Sequence, residues 1–237
     1  MKKETDGQRE TVIEGKELNY TYPGTKTPVW EKNLTFTIDK GEIVGLAGQN
    51  GSGKSTLLRL LAGFIPWEIN RCSGQMITGI SERDMACVID RPSFFSDLSV
   101  RDNLRLMDRM NGEKGLMDEK LAELLGIHEF DRIKASKLSL GNKQKLALCL
   151  AIHRETKLAL LDEPLNGLDP FTKASVLSCL RKWRKQGMAV ILTSHIPGDL
   201  NRSVTGYCIF KTKEIRFGYQ YRRNHQRNRR QLWLFLN

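Results

Sequence analysis

Gly48-Gln49-Asn50-Gly51-Ser52-Gly53-Lys54-Ser55-Thr56 is the stretch whose residue types and spacing most directly imply chemistry. It matches the phosphate-binding pattern G-x-x-x-x-G-K-[ST], whose working parts are local. Glycines at 48, 51 and 53 let the backbone wrap closely enough for successive N–H groups to face one anion. A helix starting behind the loop would add the positive end of its dipole. Lys54 can reach β- and γ-phosphates, and the Ser55 hydroxyl can ligate Mg²⁺. Further along, Leu158-Ala159-Leu160-Leu161-Asp162-Glu163 is an apolar run that ends in two carboxylates. Asp162 there suits Mg²⁺, held directly or through water, and Glu163 suits a base that polarises an attacking water. The expected ligand is a nucleoside triphosphate.

Those residues need elements to hold them. Glu42 to Ala47 reads as a buried strand ahead of the loop, and Ser55 to Gly63 as a helix with leucines at helical spacing. Thr11 to Tyr22 and Leu34 to Ile38 read as earlier strands, with turns at Pro23-Gly24 and Asp39-Lys40-Gly41. Residues 63 to 85 read as irregular, and Ala86 to Ile89 as a short buried strand. From about Pro92 to Ser136 the pattern turns helical, clearest over Leu98 to Met107 and Asp118 to Leu125. Leu158 to Leu161 and Ala189 to Leu192 are compact apolar runs of the kind found in central parallel strands, with a helix over Phe171 to Lys185 between them. Strands alternating with helices predict an α/β fold interrupted by a helical insertion.

Leu138-Ser139-Leu140-Gly141-Asn142-Lys143-Gln144-Lys145 resembles the signature L-S-G-G-Q-x-Q-[RK] of the ABC (ATP-binding cassette) ATPases, and it precedes the apolar helix Leu146 to Ile152. Gly167-Leu168-Asp169 resembles that family's D-loop and Thr193-Ser194-His195 its H-loop. Tyr22, beside Pro23-Gly24, stands where the family's adenine-stacking aromatic falls, although an aromatic before such a turn also packs well. The resemblance covers roughly residues 11 to 215. It implies a P-loop NTPase core with a mainly parallel central sheet, an N-terminal antiparallel β-subdomain and an inserted helical subdomain, about 92–145. It also implies one nucleotide-binding domain over 1–215, a tail over 216–237, and ATP with Mg²⁺ as cofactors.

Roles follow from the same resemblance. The loop residues from Gly48 to Thr56, with Tyr22, would hold the nucleotide. Ser139, Gly141 and the amides of the signature helix would face the γ-phosphate of an ATP on a second subunit in a head-to-tail dimer, most simply a homodimer. His195 would contact the γ-phosphate and the water, and Asp169 would link the two sites. His128 and His153 read as structural. Phe94, Phe95 and Leu98 are candidates to dock a membrane partner, or to pack within their own subdomain.

Two positions depart from the family pattern. Asp90 stands where most members carry glutamine, which would bring a further carboxylate towards Mg²⁺. In the signature, Leu140 replaces glycine and Asn142 replaces glutamine. Both departures resemble the branch that serves bacitracin- and lantibiotic-type transporters. The expected function is therefore ATP hydrolysis driving transport, as export or self-protection against peptide antibiotics, by a separate membrane-spanning permease. The rival is an ABC ATPase without a transporter, acting on ribosome, nucleic acid or an assembly scaffold. It is less favoured because there is one cassette and no inserted coiled coil.

Bulk composition sets the outer bounds. The chain has 237 residues, 40% hydrophobic and 27% charged, as ordinary globular proteins do. No apolar run reaches membrane-spanning length, and Met1-Lys2-Lys3-Glu4 starts no signal peptide. The expected place is the cytoplasm, peripheral to the inner face of the cell membrane. The five cysteines (72, 87, 149, 179 and 208) have neither disulfide-framework nor zinc spacing. Of the net charge of +11, residues 211–237 supply +7, from two lysines and six arginines against Glu214. That basic, apolar-ended tail would suit an anionic membrane surface, suits nucleic acid less well, and could equally have no role.

Overall fold

An apolar run without alternation must be covered on both faces, and the chain meets that demand with two sheets and two layers of helices. The computed structural model describes residues 10–67, 71–90, 93–110, 117–153, 155–194, 205–211 and 214–219, with 206–211 and 214–219 described through their backbone. The chain begins with β1 (Thr11–Tyr20) and β2 (Leu34–Asp39), followed by β3 (Ile43–Gly48) and α1 (Lys54–Leu61). Strands β4 (Cys72–Thr78) and β5 (Met85–Val88) come next, then the helices α2 (Val100–Met110), α3 (Glu119–Leu125) and α4 (Leu140–Ala151). The last part alternates: β6 (Leu158–Leu161), α5 (Pro170–Lys185), β7 (Ala189–Ser194), β8 (Gly206–Lys211) and β9 (Glu214–Tyr219).

Strands β2, β1 and β4 form an antiparallel sheet in that order, and β5-β6-β7-β3-β8-β9 form the central sheet. The central pairs are parallel except β8 with β9. Side chains of the central strands alternate between two cores. Leu158, Leu160, Ala189, Ile191, Val44 and Leu46 join α1 and the antiparallel sheet. Ala159, Leu161, Val190, Leu192 and Ile43 join α4, α5 and the helical segment. Strand alternation thus sends each face to a different layer.

The helices start and stop where their end residues dictate. Asp118 caps α3 by accepting from the Leu121 N–H (3.3 Å), and Gly126 ends it at φ 62°. Asp169 caps α5, accepting from the Phe171 and Thr172 N–H groups (both 3.0 Å), with Pro170 next in line. Within the helical segment, the buried Asn103 side chain donates to the Phe95 and Ser99 carbonyls (3.0 and 2.9 Å) and accepts from the Phe95 N–H (2.8 Å). It fixes the loop that carries Phe95.

Residues 63 to 85, expected to be irregular, contain β4. Only Cys72 of its seven residues is buried, so it lacks the alternation that marks a half-buried strand. Strand β9 runs through Tyr219, so residues 216–219 pair with β8 rather than standing apart as tail. Residues 220–237 lie outside the described residues.

Strand β1 changes register between Gly15 and Leu18, with Glu17 at φ 52°. Gly74 sits against that bulge at φ 82°, where a Cβ would fall 2.2 Å from the Lys16 carbonyl oxygen. Gly74→Ala is therefore expected to destabilise the fold by about 2 kcal/mol or more. For a chain of this size that corresponds to a loss of roughly 4–8 °C in Tm, read by calorimetry.

Candidate nucleotide site

The site lies at the C-terminal ends of β3, β6 and β7, where a crossover between neighbouring strands opens a crevice. Leu46 and Ala47 of β3 sit beside Thr193 and Ser194 of β7, and Leu161 of β6 beside Leu192. That order delivers the loop after β3 and the two carboxylates after β6 to the same end of the sheet.

The loop closes on itself. Gly48, Gly51 and Gly53 hold φ of 153°, 77° and 95°. The buried Lys54 ammonium donates to the Gly48 and Gln49 carbonyls (both 2.8 Å), so the side chain lies across the loop it follows. Burial lowers its pKa from the ordinary lysine value, while the Glu163 and Asp162 carboxylates act in the opposite direction. One cation thus stands between the loop and both acids. Asn50 and Gly51 are exposed at the loop tip, Ser55 is half-buried, and Ser52 and Thr56 are buried. The buried Ser52 Oγ has no protein partner.

Asp162 and Glu163 are held by a residue that pattern reading gave no role. The Thr193 hydroxyl donates to Asp162 Oδ1 (2.5 Å) and accepts from the Glu163 N–H (2.8 Å). Glu163 itself sits at φ 49°, with Asn166 Nδ2 donating to its Oε2 (3.3 Å). The positive φ turns the chain directly after Asp162, so the two successive carboxylates leave the strand in different directions. Thr193→Val keeps the shape but removes both bonds. It is expected to lower kcat about tenfold or more with little change in ATP affinity, the loss reported by steady-state kinetics.

Tyr22 and Asp90 are engaged within the protein. The Tyr22 hydroxyl shares a hydrogen bond with Thr56 Oγ1 (2.9 Å), and its ring meets Tyr20 edge-on at 4.9 Å between centroids. Asp90, at φ 64°, accepts from Arg59 Nε (2.9 Å) and Nη2. The buried Trp30 packs behind the loop, where a Cβ on Gly53 would meet its Nε1 at 2.4 Å. A tryptophan between two early strands offers no sequence signal that it backs a loop twenty residues later.

The signature residues form a second group. Ser139 caps α4 by accepting from the Asn142 N–H (3.3 Å), and a Cβ on Gly141 would lie 2.7 Å from the Gly167 carbonyl oxygen. The start of α4 therefore packs on the turn that leads to Asp169. Leu140 covers Gly167 yet stays 66% exposed. Hydrogen bonds from Thr172 hold the Asp169 carboxyl below its usual pKa. His195 lies outside the described residues.

Oxygen donors are the chemistry a hard divalent cation prefers, and Ser55 and Asp162 supply them. No group of three or more His, Cys, Asp or Glu side chains among the described residues could hold a metal by itself. That donor set fits Mg²⁺, which is commonly held by one or two protein oxygens plus substrate phosphates. Among the described side chains the cysteines play no visible part. Cys72, Cys149 and Cys179 are buried, and burial pushes the Cys87 and Cys179 thiols up to about 11.

A loop that cradles phosphate, a lysine across it and a strand-end acid pair define a P-loop nucleotide-binding ATPase. Residues 31–166 match the ABC transporter family, and the chain belongs to that family as an ATP-binding subunit. The lantibiotic transport ATP-binding protein SrtF of Streptococcus pyogenes is 31% identical, over 71% of this chain and 74% of its own length. The bacitracin transport ATP-binding protein BcrA of Enterococcus faecalis is 32% identical, over 81% of this chain and 64% of its own. A solved ATP-binding subunit of an ABC transporter superposes with a TM-score of 0.77 at 26% identity, covering 89% of this chain and 90% of the other.

Proposed function

We propose that this chain hydrolyses MgATP to drive a separate membrane-spanning permease that moves peptide antibiotics of the lantibiotic or bacitracin type. The observation that carries the chemical part is the convergence of Lys54, Asp162, Glu163 and Thr193 on one strand end. Gly48 to Thr56 wrap the phosphates, and Tyr22 lies beside them for the base. Ser55 and Asp162 would hold Mg²⁺, whose charge when bound would supply screening of the phosphates. Glu163 accepts a proton from the attacking water at a carboxylate oxygen, and Thr193 fixes the backbone from which it does so. His195 completes the γ-phosphate contacts. Ser139 and Gly141 of a second copy close over the nucleotide, and Asp169 keeps the two sites in step.

The permease reading rests on different residues. No helix among the described residues is long and apolar enough to cross a membrane. In the helical segment Phe95 is 58% and Ile133 42% exposed, and the Ile133 carbonyl accepts from the Val100 N–H, beside the loop that Asn103 fixes. Phe94 packs on the core instead. These apolar side chains suit a short helix of a permease on the inner face of the cell membrane. The peptide-antibiotic assignment draws on the names of the two transport proteins above together with Asp90 and Leu140.

The test is capture of the full chain from gently solubilised native membranes. The expected result is a polytopic membrane protein in stoichiometric amount, whose presence makes the ATPase respond to peptide antibiotics. Recovery with ribosomes or nucleic acid, and no membrane protein, overturns the permease reading while leaving the ATPase intact.

A further inference from the structure

We propose that Arg59 and Asp90 form a charged tether joining the phosphate-facing helix α1 to the strand exit that feeds the helical segment, and that Asp90 is a positioning residue rather than a magnesium ligand. The inference rests on MgATP binding at the loop, as proposed above. Both carboxylate oxygens of Asp90 are occupied, one by Arg59 Nε at 2.9 Å and the other by Nη2. This two-point fit is the geometry in which a guanidinium holds a carboxylate most firmly. The Asp90 carboxylate is also the first cause of the raised Arg59 pKa.

Position gives the pair its reach. Arg59 lies four residues beyond Ser55 and three beyond Thr56 on α1, so all three share one side of the helix. The Tyr22 hydroxyl bonds Thr56 and also interacts with Arg59. Asp90 stands two residues beyond the end of β5, whose last residue, Val88, pairs with Leu161 of β6 and accepts from the Asp162 N–H (2.7 Å). A run of contacts thus leads from the loop through Thr56, Tyr22 and Arg59 to Asp90, after which the chain enters the helical segment. Asp90 holds a left-handed backbone at φ 64°, which aspartate tolerates better than most residues and which a fixed side chain helps to keep.

Charge points the same way. Asp162 and Glu163 already place two negative charges beside the loop, and a triphosphate adds more. An unpaired third carboxylate would oppose nucleotide entry, and Arg59 cancels it. The Arg59 guanidinium takes one lone pair on each Asp90 oxygen and sets a positive charge beside the carboxylate, which disfavours a second cation there.

The test uses the full chain with Asp90→Asn, Arg59→Gln, the two combined, and Arg59→Lys. Calorimetry follows Mg²⁺-dependent ATP binding, and amide hydrogen exchange of residues 93–110 is followed without nucleotide. The expected result is a Mg²⁺ half-saturation within about twofold of the parent in every variant. Exchange rises roughly three- to fivefold in each single variant, the double variant is no worse than either single, and Arg59→Lys recovers part of the protection. A Mg²⁺ half-saturation raised tenfold or more in Asp90→Asn overturns the proposal in favour of metal ligation. Exchange effects that multiply in the double variant overturn the tether. If the parent chain binds no ATP, the site reading fails, while exchange in the nucleotide-free chain still decides the tether.

Discussion

Glu163→Gln is expected to lower kcat for ATP by roughly two to four orders of magnitude, the span a positioned general base contributes. Glutamine keeps the volume and can still accept from Asn166 at the position of Oε2, so the turn after β6 survives. It cannot take a proton from water. Nucleotide affinity should stay the same or rise, because one negative charge near Lys54 and the phosphates is gone. The variant should therefore hold ATP through many parent turnover times, as a filter-binding chase would show. Hydrolysis at the parental rate would remove Glu163 as the base.

Lys54→Met should act on binding rather than on turnover. The lost ammonium interacts with the triphosphate and also holds the Gly48 and Gln49 carbonyls. Charge-assisted bonds contribute about 1.5–3 kcal/mol each, so the loss of two weakens ATP binding by about 10²-fold or more. Thermal shift separates this from unfolding. At a concentration 100 times Kd, ATP should stabilise the parent by about 2.7 kcal/mol, or roughly 5–11 °C for a chain of this size. The variant should show almost none of that shift. Its own Tm should change little, because burial of Lys54 already opposes the charged form. A parent-sized shift in the variant would place the nucleotide elsewhere.

How much of this could be read from the chain depended on how local each feature is. The loop was legible because its chemistry belongs to consecutive residues: three glycines, a lysine and a helix start. Asp162 and Glu163 were legible for a similar reason, as an apolar run with acids at its end. Thr193 was partly legible, since it stands in the Thr-Ser-His segment. Its bonds to two residues thirty positions earlier depend on the pairing of β6 with β7, which no local pattern reveals. Arg59 was hidden because a polar side chain on an amphipathic helix looks the same whether it meets solvent or a carboxylate 31 residues away. The expectation that Asp90 sits on Mg²⁺ came from its place in a family pattern, and its partner became visible only in space. Strand β4 was missed because an edge strand with one buried residue and a central glycine carries neither period nor propensity.

The order of the central sheet bears on how the chain is made. Strand β3, which carries the nucleotide loop, is flanked by β7 and β8: Ile43 pairs with Val190, and Val44 with Gly206. Both neighbours leave the ribosome some 150 residues after β3 itself. At roughly 5–20 residues per second, the strand waits on the order of ten seconds or more with two unpaired edges. An apolar strand in that condition is a template for the wrong partner, whether another nascent chain or its own copy. Slowed synthesis between residues 50 and 190 should thus lower the soluble yield of this protein. Chaperones that shield exposed strands early in synthesis should restore it.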